Sequence, residues 1–225
     1  MAMDAEWGLA MRLDSTYAYP WNMTLGAIKN NALIERTGKR IGMHCKQLGM
    51  QFNFAPDIDI NTNPDNPIIG NRSFGEDKLN VAQKGLAFTR GMQSVGVLGS
   101  AKHFPGHGDT SKDSHKTLPT ISFTANRLDE VELYPFRVIA KEVASVMIGH
   151  LNVPALEPKA GLPSSLSSVI ITDLLKKKMG YEGLIFTDAL GMKGVSEYLP
   201  VGEVEVEAFL AGNDILLMPA NVAKG

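Results

Sequence analysis

The sequence has 225 residues, of which 22 are basic and 24 acidic, for a formal net charge of −2 at pH 7, and 44% of its residues are hydrophobic. This balance excludes the basic surface typical of nucleic-acid-binding proteins, and no apolar run approaches the ~18 residues of a membrane span. The single cysteine, Cys45, excludes an intrachain disulfide and a zinc site built from cysteines.

Short apolar segments alternate along the chain with longer segments of helical periodicity. Strands are predicted at residues 1–5, 51–60, 97–103, 145–151, 183–188 and 214–218. Helices are predicted at residues 22–48, 76–95, 128–143, 167–179 and 203–211. This alternation implies parallel strands joined by helical crossovers, and without an internal repeat or linker residues 1–225 are predicted to form a single domain.

Five of the strand candidates end in reactive polar side chains, namely Asp4 with Glu6, Asp57 with Asp59, Lys102 with His103, His150, and Asp188. A barrel gathers the carboxyl ends of all its strands around one mouth, whereas a doubly wound sheet uses mainly the ends beside its switch point. The sequence therefore predicts an α/β fold of the (β/α)8 TIM-barrel type. About six of eight strands are present and both ends interrupt the alternation, so a fragment of a longer protein is expected.

The densest polar segment, residues 102–115, holds three of the five histidines and two aspartates. Asp113 and His115 lie two residues apart, so the carboxylate can hold the imidazole. Such a pair raises the pKa of the histidine and suits it to general acid/base chemistry near neutral pH. The alternative is a polar loop of hydrogen-bonded histidines without a chemical role.

The same segment also permits a metal interpretation. His103, His107 and His115, with Asp109 or Asp113, have the donor atoms of a divalent metal site. Their spacing matches no compact zinc signature, and a glycine-rich loop does not present His103 and His107 on one helical face. No metal is therefore predicted.

Three further features fit a sugar-binding pocket. Asp188 ends an apolar strand, where a carboxylate is costly unless it is paired or catalytic, and at a barrel mouth it is placed to attack an anomeric carbon. Asp4 and Glu6 supply hydroxyl acceptors, Trp7 a planar apolar surface, and Arg12 and Arg72 forked donors. The alternatives are a helix cap for Asp188, an acidic turn beside a core tryptophan, and a surface arginine.

The motifs together resemble glycoside hydrolase family 3, and within it the β-N-acetylglucosaminidase branch of NagZ type. They are Asp4-x-Glu6-x-Gly8, the residues 71–75 (NRSFG), the residues 102–108 (KHFPGHG), Asp113-Ser114-His115 and Thr187-Asp188, in family order from Asp4 to Met218. The lysine–histidine run followed by Asp-Ser-His is the specific part.

The resemblance implies a retaining hydrolase that removes terminal β-linked N-acetylglucosamine from peptidoglycan- or chitin-derived substrates. It implies Asp188 as nucleophile and His115 as acid/base, with Asp113 as the partner of His115. The sugar-binding residues that it implies are Asp4, Arg12, Arg72, Lys102 and His103. No cofactor or metal, a carbohydrate as the small-molecule partner, no nucleic acid and a monomeric state are expected.

Several alternatives stay open. A histidine base repels an anionic acceptor less than a carboxylate does, so phosphorolysis is a variant of the same chemistry. A β-glucosidase-like relative, a non-catalytic sugar-binding fragment and a metal-dependent hydrolase are the others. The compartment is open as well, because compact relatives of this type are cytoplasmic and longer ones are exported.

Overall fold

The computed structural model describes residues 1–111, 117–200, 202–220 and 223. Five parallel strands form one sheet in which spatial order follows chain order. They are β1 (Ala2–Met3), β2 (Phe52–Asn53), β3 (Leu98–Phe104), β4 (Ser145–Ile148) and β5 (Leu184–Thr187). The sixth strand candidate contributes one parallel bridge, Phe186 to Ile215. Consecutive parallel strands with helical crossovers confirm the predicted α/β fold of an incomplete barrel.

Helices connect the strands. They are α1 (Asn22–Gly26), α2 (Asn31–Gln47), α3 (Lys78–Gln93), α4 (Ala125–Glu130), α5 (Tyr134–Ile139), α6 (Val169–Lys178), α7 (Lys193–Ser196) and α8 (Glu203–Ala211). α6 is π-helical, and the backbone amide that ends it, that of Met179, donates to the carbonyl of Leu174. In the part of the chain that the structure describes, no helix is long and apolar enough to cross a membrane.

Two predicted helices are interrupted. The prediction of one helix over residues 22–48 was wrong, because the chain turns after α1 and Asn30 begins α2 as an N-cap that accepts a hydrogen bond from the Ala32 amide at 3.0 Å. The predicted helix at residues 128–143 is likewise divided into α4 and α5. Pro135 lies in the first turn of α5, where its missing amide hydrogen removes no intrahelical bond.

The predicted strand at residues 51–60 is also much shorter than expected. Beyond β2, Pro56 has no amide hydrogen to donate to the ladder, and the contact with β3 continues through backbone hydrogen bonds to the Ala55 and Pro56 carbonyls and a bridge between Asp57 and Lys102. The segment from 57 to 60 nevertheless stays buried. As a result, Asp57 and Asp59 lie next to the end of β3 rather than along a continuous strand.

The helices α2 and α3 pack closely against each other, and α3 also packs against β3. Two glycines permit this contact, because a Cβ added at Gly38 would lie 2.2 Å from the carbonyl oxygen of Phe88 and one at Gly91 would lie 1.9 Å from that of Glu35. Phe88 is fully buried in the core. The packing fixes the crossovers and so fixes where the carboxyl ends of the strands lie.

Candidate active site

A cleft of about 950 Å³ opens at the carboxyl ends of the strands. Its polar lining consists of Asp4, Arg12, Arg72, Lys102, His103, His107 and Asp188. Its apolar lining includes Phe54, Met147, Met192 and Leu217. Parallel strands explain the gathering, because Asp4 follows β1, Lys102 and His103 lie within β3, and Asp188 follows β5.

Lys102 is a buried ammonium group at the floor of the cleft. Its Nζ donates to Asp4 Oδ1 at 2.7 Å and lies 2.8 Å from Glu6 Oε1. Asp4 Oδ2 accepts a hydrogen bond from Arg12 Nη2 at 2.5 Å. Burial alone would raise the pKa of Asp4, but Lys102 and Arg12 outweigh it and hold that pKa well below its usual range. Asp4 is therefore an ionised acceptor between two cations.

Arg72 is the second cation of the floor. It ends the short helical turn Gly70–Arg72, and its Nε and Nη2 bind Glu6 Oε2 and Oε1 at 3.0 and 2.7 Å. Burial alone would raise the pKa of Glu6, yet Lys102 and Arg72 lower it to about 2. The forked pair fixes the plane of the guanidinium group.

Asp59 holds the turn that contains both buried histidines. Its Oδ2 accepts from His103 Nδ1 at 2.7 Å and from the His103 amide at 3.1 Å, and its Oδ1 accepts from the His107 amide at 2.6 Å. His107 Nδ1 contacts Thr110 Oγ1 at 2.7 Å. Burial, and next to it the neighbouring His103, lower the pKa of His107 to about 4, so His107 is neutral at pH 7.

Asp57 lies beneath this turn and is completely buried. Its Oδ1 accepts from the Asp59 amide at 3.0 Å, while Oδ2 has no hydrogen-bond partner among the described residues and lies 3.6 Å from Arg72 Nη2. Burial and the adjacent Asp59 carboxylate raise the pKa of Asp57 well above its usual value. Asp57 therefore favours its neutral form more than the other carboxyl groups of the site do.

Asp188 is a half-buried carboxylate in the lining of the same cleft. Its Oδ1 accepts the amide hydrogen of Ala189 at 2.8 Å. Burial alone would raise its pKa, but His103, His150 and Lys102 together lower it. Asp188 is thus ionised at neutral pH.

His150 supports the backbone that follows Asp188. Its Nε2 lies 3.0 Å from the Ala189 carbonyl oxygen and its Nδ1 lies 2.7 Å from Ser165 Oγ. The ring is completely buried. His150 therefore connects the end of β4 to the segment that carries Asp188.

Asp57, Asp59 and His103 bring oxygen and nitrogen atoms within 4.8 Å of one another, which is close enough for a shared metal ion. However, His103 already donates to Asp59, and Arg72 Nη2 lies 3.6 Å from Asp57 and 3.4 Å from His103 Nε2. The guanidinium group supplies the positive charge that these carboxylates need. We therefore assign the cationic role here to Arg72.

The whole chain, residues 1–225, matches the profile described as the Glycosyl hydrolase family 3 N terminal domain. The chain belongs to glycosyl hydrolase family 3. Beta-hexosaminidase A of Pseudoalteromonas piscicida is 36% identical over 97% of this chain and 39% of its own length. Beta-hexosaminidase LpqI of Mycobacterium tuberculosis is 34% identical over 96% of this chain and 57% of its own length.

A solved family 3 structure confirms the fold. The glycoside hydrolase family 3 β-N-acetylglucosaminidase from Paenibacillus sp. str. FPU-7 is 45% identical and superposes with a TM-score of 0.91 over 96% of this chain and 41% of its own. The chain thus spans about two fifths to three fifths of the length of these relatives.

Six predicted site residues of this family 3 chain line the cleft together, namely Asp4, Arg12, Arg72, Lys102, His103 and Asp188. Asp113 and His115 lie outside the described residues. Trp7 does not line the cleft; its ring contacts that of Trp21, with centroids 4.1 Å apart, beside the turn Gly70–Arg72.

Sequence reasoning gave no role to Asp57 or Asp59, and it counted Glu6 only among the residue types that suit a sugar pocket. The structure places these three carboxyl groups directly against the cations and histidines of the cleft. The available signal was the Asp-x-Glu and Asp-x-Asp spacing, which puts alternate side chains on one face of an extended segment.

Proposed function

We propose that this chain forms the sugar-binding pocket and carries the nucleophile of a retaining glycoside hydrolase that removes terminal β-linked N-acetylglucosamine. The observation that supports this most directly is the position of Asp188. Its ionised carboxylate faces the same cleft as the paired groups Asp4, Lys102 and Arg72. A nucleophile beside a cluster of fixed donors and acceptors is what the first step of retaining hydrolysis requires.

The floor of the cleft has the chemistry of a sugar subsite. Lys102, Arg72 and Arg12 present N–H donors, and Asp4 presents acceptor oxygens to sugar hydroxyls. Phe54 and Met147 provide apolar surface for the faces of the ring. Convergent charged groups on an otherwise apolar wall orient a polar ligand by hydrogen bonding while the wall excludes water.

The proposed reaction has two steps. Asp188 attacks the anomeric carbon, the bond to the leaving oxygen breaks, and His115 transfers a proton to that oxygen, with Asp113 holding the imidazole. Neutral His115 then takes a proton from water, whose oxygen attacks the anomeric carbon and releases Asp188. The roles of His115 and Asp113 come from the Asp-Ser-His motif.

The relatives support the substrate class. The two curated relatives described above are β-hexosaminidases, and the Paenibacillus structure is a β-N-acetylglucosaminidase. A terminal N-acetylglucosamine unit linked to a peptidoglycan or chitin fragment is therefore the substrate that we propose. The pocket described here would receive the non-reducing sugar.

A covalent labelling experiment tests the proposal. A 2-fluoro glycosyl probe with a good leaving group should form a stable ester on Asp188, which peptide mass spectrometry would locate. Asp188→Asn should abolish both labelling and turnover, whereas Asp173→Asn, at an exposed position paired with Lys177, should change neither. Labelling of another residue would contradict the assignment of the nucleophile.

Product analysis separates hydrolysis from phosphorolysis. An aryl N-acetylglucosaminide is incubated with and without inorganic phosphate, and the sugar products are resolved. Free N-acetylglucosamine as the product in both cases supports the hydrolase. A sugar 1-phosphate that forms only when phosphate is present would show that the enzyme is a phosphorylase instead.

A further inference from the structure

Glu6 has no contact with the cleft itself, but it contacts both cations at its floor. Its side chain is 0% exposed and is absent from the lining. Oε1 lies 2.8 Å from Lys102 Nζ and 2.7 Å from Arg72 Nη2, and Oε2 accepts from Arg72 Nε at 3.0 Å. One buried carboxylate therefore bridges two of the groups that face the ligand.

The Glu6 carboxylate reduces the electrostatic repulsion between the two buried cations. Lys102 and Arg72 share the atom Glu6 Oε1, so their cationic nitrogens are close neighbours in a buried setting. Without an anion between them the two charges would repel, and burial would disfavour both. Asp4 neutralises Lys102 from the cleft side only, and Asp57 lies 3.6 Å from Arg72.

The remaining restraints on the Arg72 side chain are weaker than its contacts with Glu6. Arg72 Nη1 donates to the Ile68 carbonyl oxygen at 3.3 Å, and Arg72 Nη2 lies 3.4 Å from His103 Nε2. Neither contact fixes the guanidinium plane as a forked carboxylate does. The plane of Arg72 and its separation from Lys102 are thus determined mainly by Glu6.

We propose that Glu6 is a positioning residue for sugar recognition: its carboxylate sets the spacing and orientation of Lys102 and Arg72 without touching the ligand. This inference rests on the proposed function of the cleft. Glu6→Gln keeps the shape of the side chain but removes the charge and replaces one acceptor oxygen by a donor, so the fork to Arg72 and the contact to Lys102 cannot both persist.

The test compares Glu6→Gln with wild-type protein and with Glu157→Gln. Glu157 is a matched control, because it is a buried glutamate that accepts hydrogen bonds from Ser167 and from the Lys159 amide and does not line the cleft. The measurements are KM and kcat for an aryl N-acetylglucosaminide, the affinity for N-acetylglucosamine by calorimetry, and the melting temperature.

We expect Glu6→Gln to raise KM and to weaken N-acetylglucosamine binding at least tenfold, with kcat changed less. Glu157→Gln should affect only the melting temperature. In a double-mutant cycle, the losses caused by Glu6→Gln and Arg72→Lys should be less than additive, because Glu6 acts in part through Arg72. Additive losses in this cycle, or unchanged KM and affinity in a folded Glu6→Gln variant, would overturn the inference.

The two proposals fail in different ways. If wild-type protein binds N-acetylglucosamine without cleaving the glycoside, the proposed function fails, and the role of Glu6 is still decided by the change in affinity. If wild-type protein neither binds nor cleaves, both are overturned. If Glu6→Gln does not fold, Glu6→Asp replaces it; a folded Glu6→Asp with wild-type KM and affinity contradicts the inference, because a shorter side chain cannot keep both cations in place.

Discussion

His103 and Asp59 are joined by a 2.7 Å contact between Nδ1 and Oδ2, although His103 lies within β3 and Asp59 lies in the segment that follows β2. The carboxylate requires a hydrogen on Nδ1, so Nε2 is the atom that turns toward Arg72, 3.4 Å away. Asp59 also accepts two backbone amides of the same turn. One side chain therefore defines both the path of the loop and the orientation of an imidazole in the cleft.

Asp59→Asn should weaken catalysis. An amide in place of the carboxylate leaves at least one buried donor unsatisfied, which costs about 1–3 kcal/mol, or roughly a 5- to 150-fold loss in kcat/KM. Steady-state kinetics measures the loss, and nitrogen NMR of the His103 ring reports its tautomer. Asp65→Asn, in an exposed loop, is the control. An unaltered tautomer would contradict the assigned role of Asp59.

Arg72→Lys should lower kcat/KM about tenfold or more, because lysine cannot make the forked contact with Glu6 and a charged hydrogen bond contributes about 1.5–3 kcal/mol. Arg90 forms the same type of fork with Glu142 at the surface, at 2.6 and 2.5 Å. Arg90→Lys should leave kinetics unchanged. Equal kinetic losses in both variants would mean that the loss at Arg72 reports general destabilisation.

The pH dependence of stability should reveal the raised pKa of Asp57. Its pKa is raised in the folded protein above the ordinary value of 3.8, so its contribution to stability is complete below that value and is lost as the pH rises through the folded pKa. Asp57→Asn mimics the neutral acid and keeps the acceptor for the Asp59 amide. Its melting temperature relative to wild type should therefore increase from about pH 4 to about pH 8. A difference that is constant with pH would refute the raised pKa.

Gly38→Ala should destabilise the fold, although alanine is the better helix former by about 1 kcal/mol. The added Cβ would meet the Phe88 carbonyl oxygen at 2.2 Å, and overpacking of this kind costs about 1–3 kcal/mol or more. Gly191→Ala is the control, since its Cβ would have no neighbour within 4 Å. Denaturant unfolding of both variants measures the difference, and a Gly38→Ala protein as stable as wild type would show that α2 and α3 can move apart.

Much of the architecture was predictable because it depends on patterns along the chain. Apolar runs alternating with helical periodicity identified the parallel sheet, and polar residues at successive strand ends indicated a common mouth. Pro135 is an expected helix breaker, and it lies in the first turn of α5. The break before α2 was not predicted, since Asn30 acts through local capping rather than through periodicity.

The partners of the site residues were less predictable. Lys102 and Asp4 are 98 positions apart and Arg72 and Glu6 are 66 apart, so their pairing depends on the strand register and on where each strand ends. β1 ends at Met3 and the chain turns at Glu6 and Trp7, so that the Glu6 side chain is buried behind the cleft lining. Trp7, which was expected to provide a planar surface for the sugar ring, lies in the same turn and packs against Trp21.

The buried layer of Lys102, Glu6 and Arg72 has a consequence for evolution and engineering. Replacing a buried ion-pair network by apolar residues of similar volume is often neutral or stabilising by about 1–4 kcal/mol. A screen for thermostability alone would therefore tend to select variants in which these three charged residues are replaced. Such variants would lose the hydrogen-bonding groups that we propose bind the sugar. Selection for stability in this chain should be combined with selection for sugar binding, because stability favours an apolar residue at position 6 whereas the proposed recognition requires a carboxylate there.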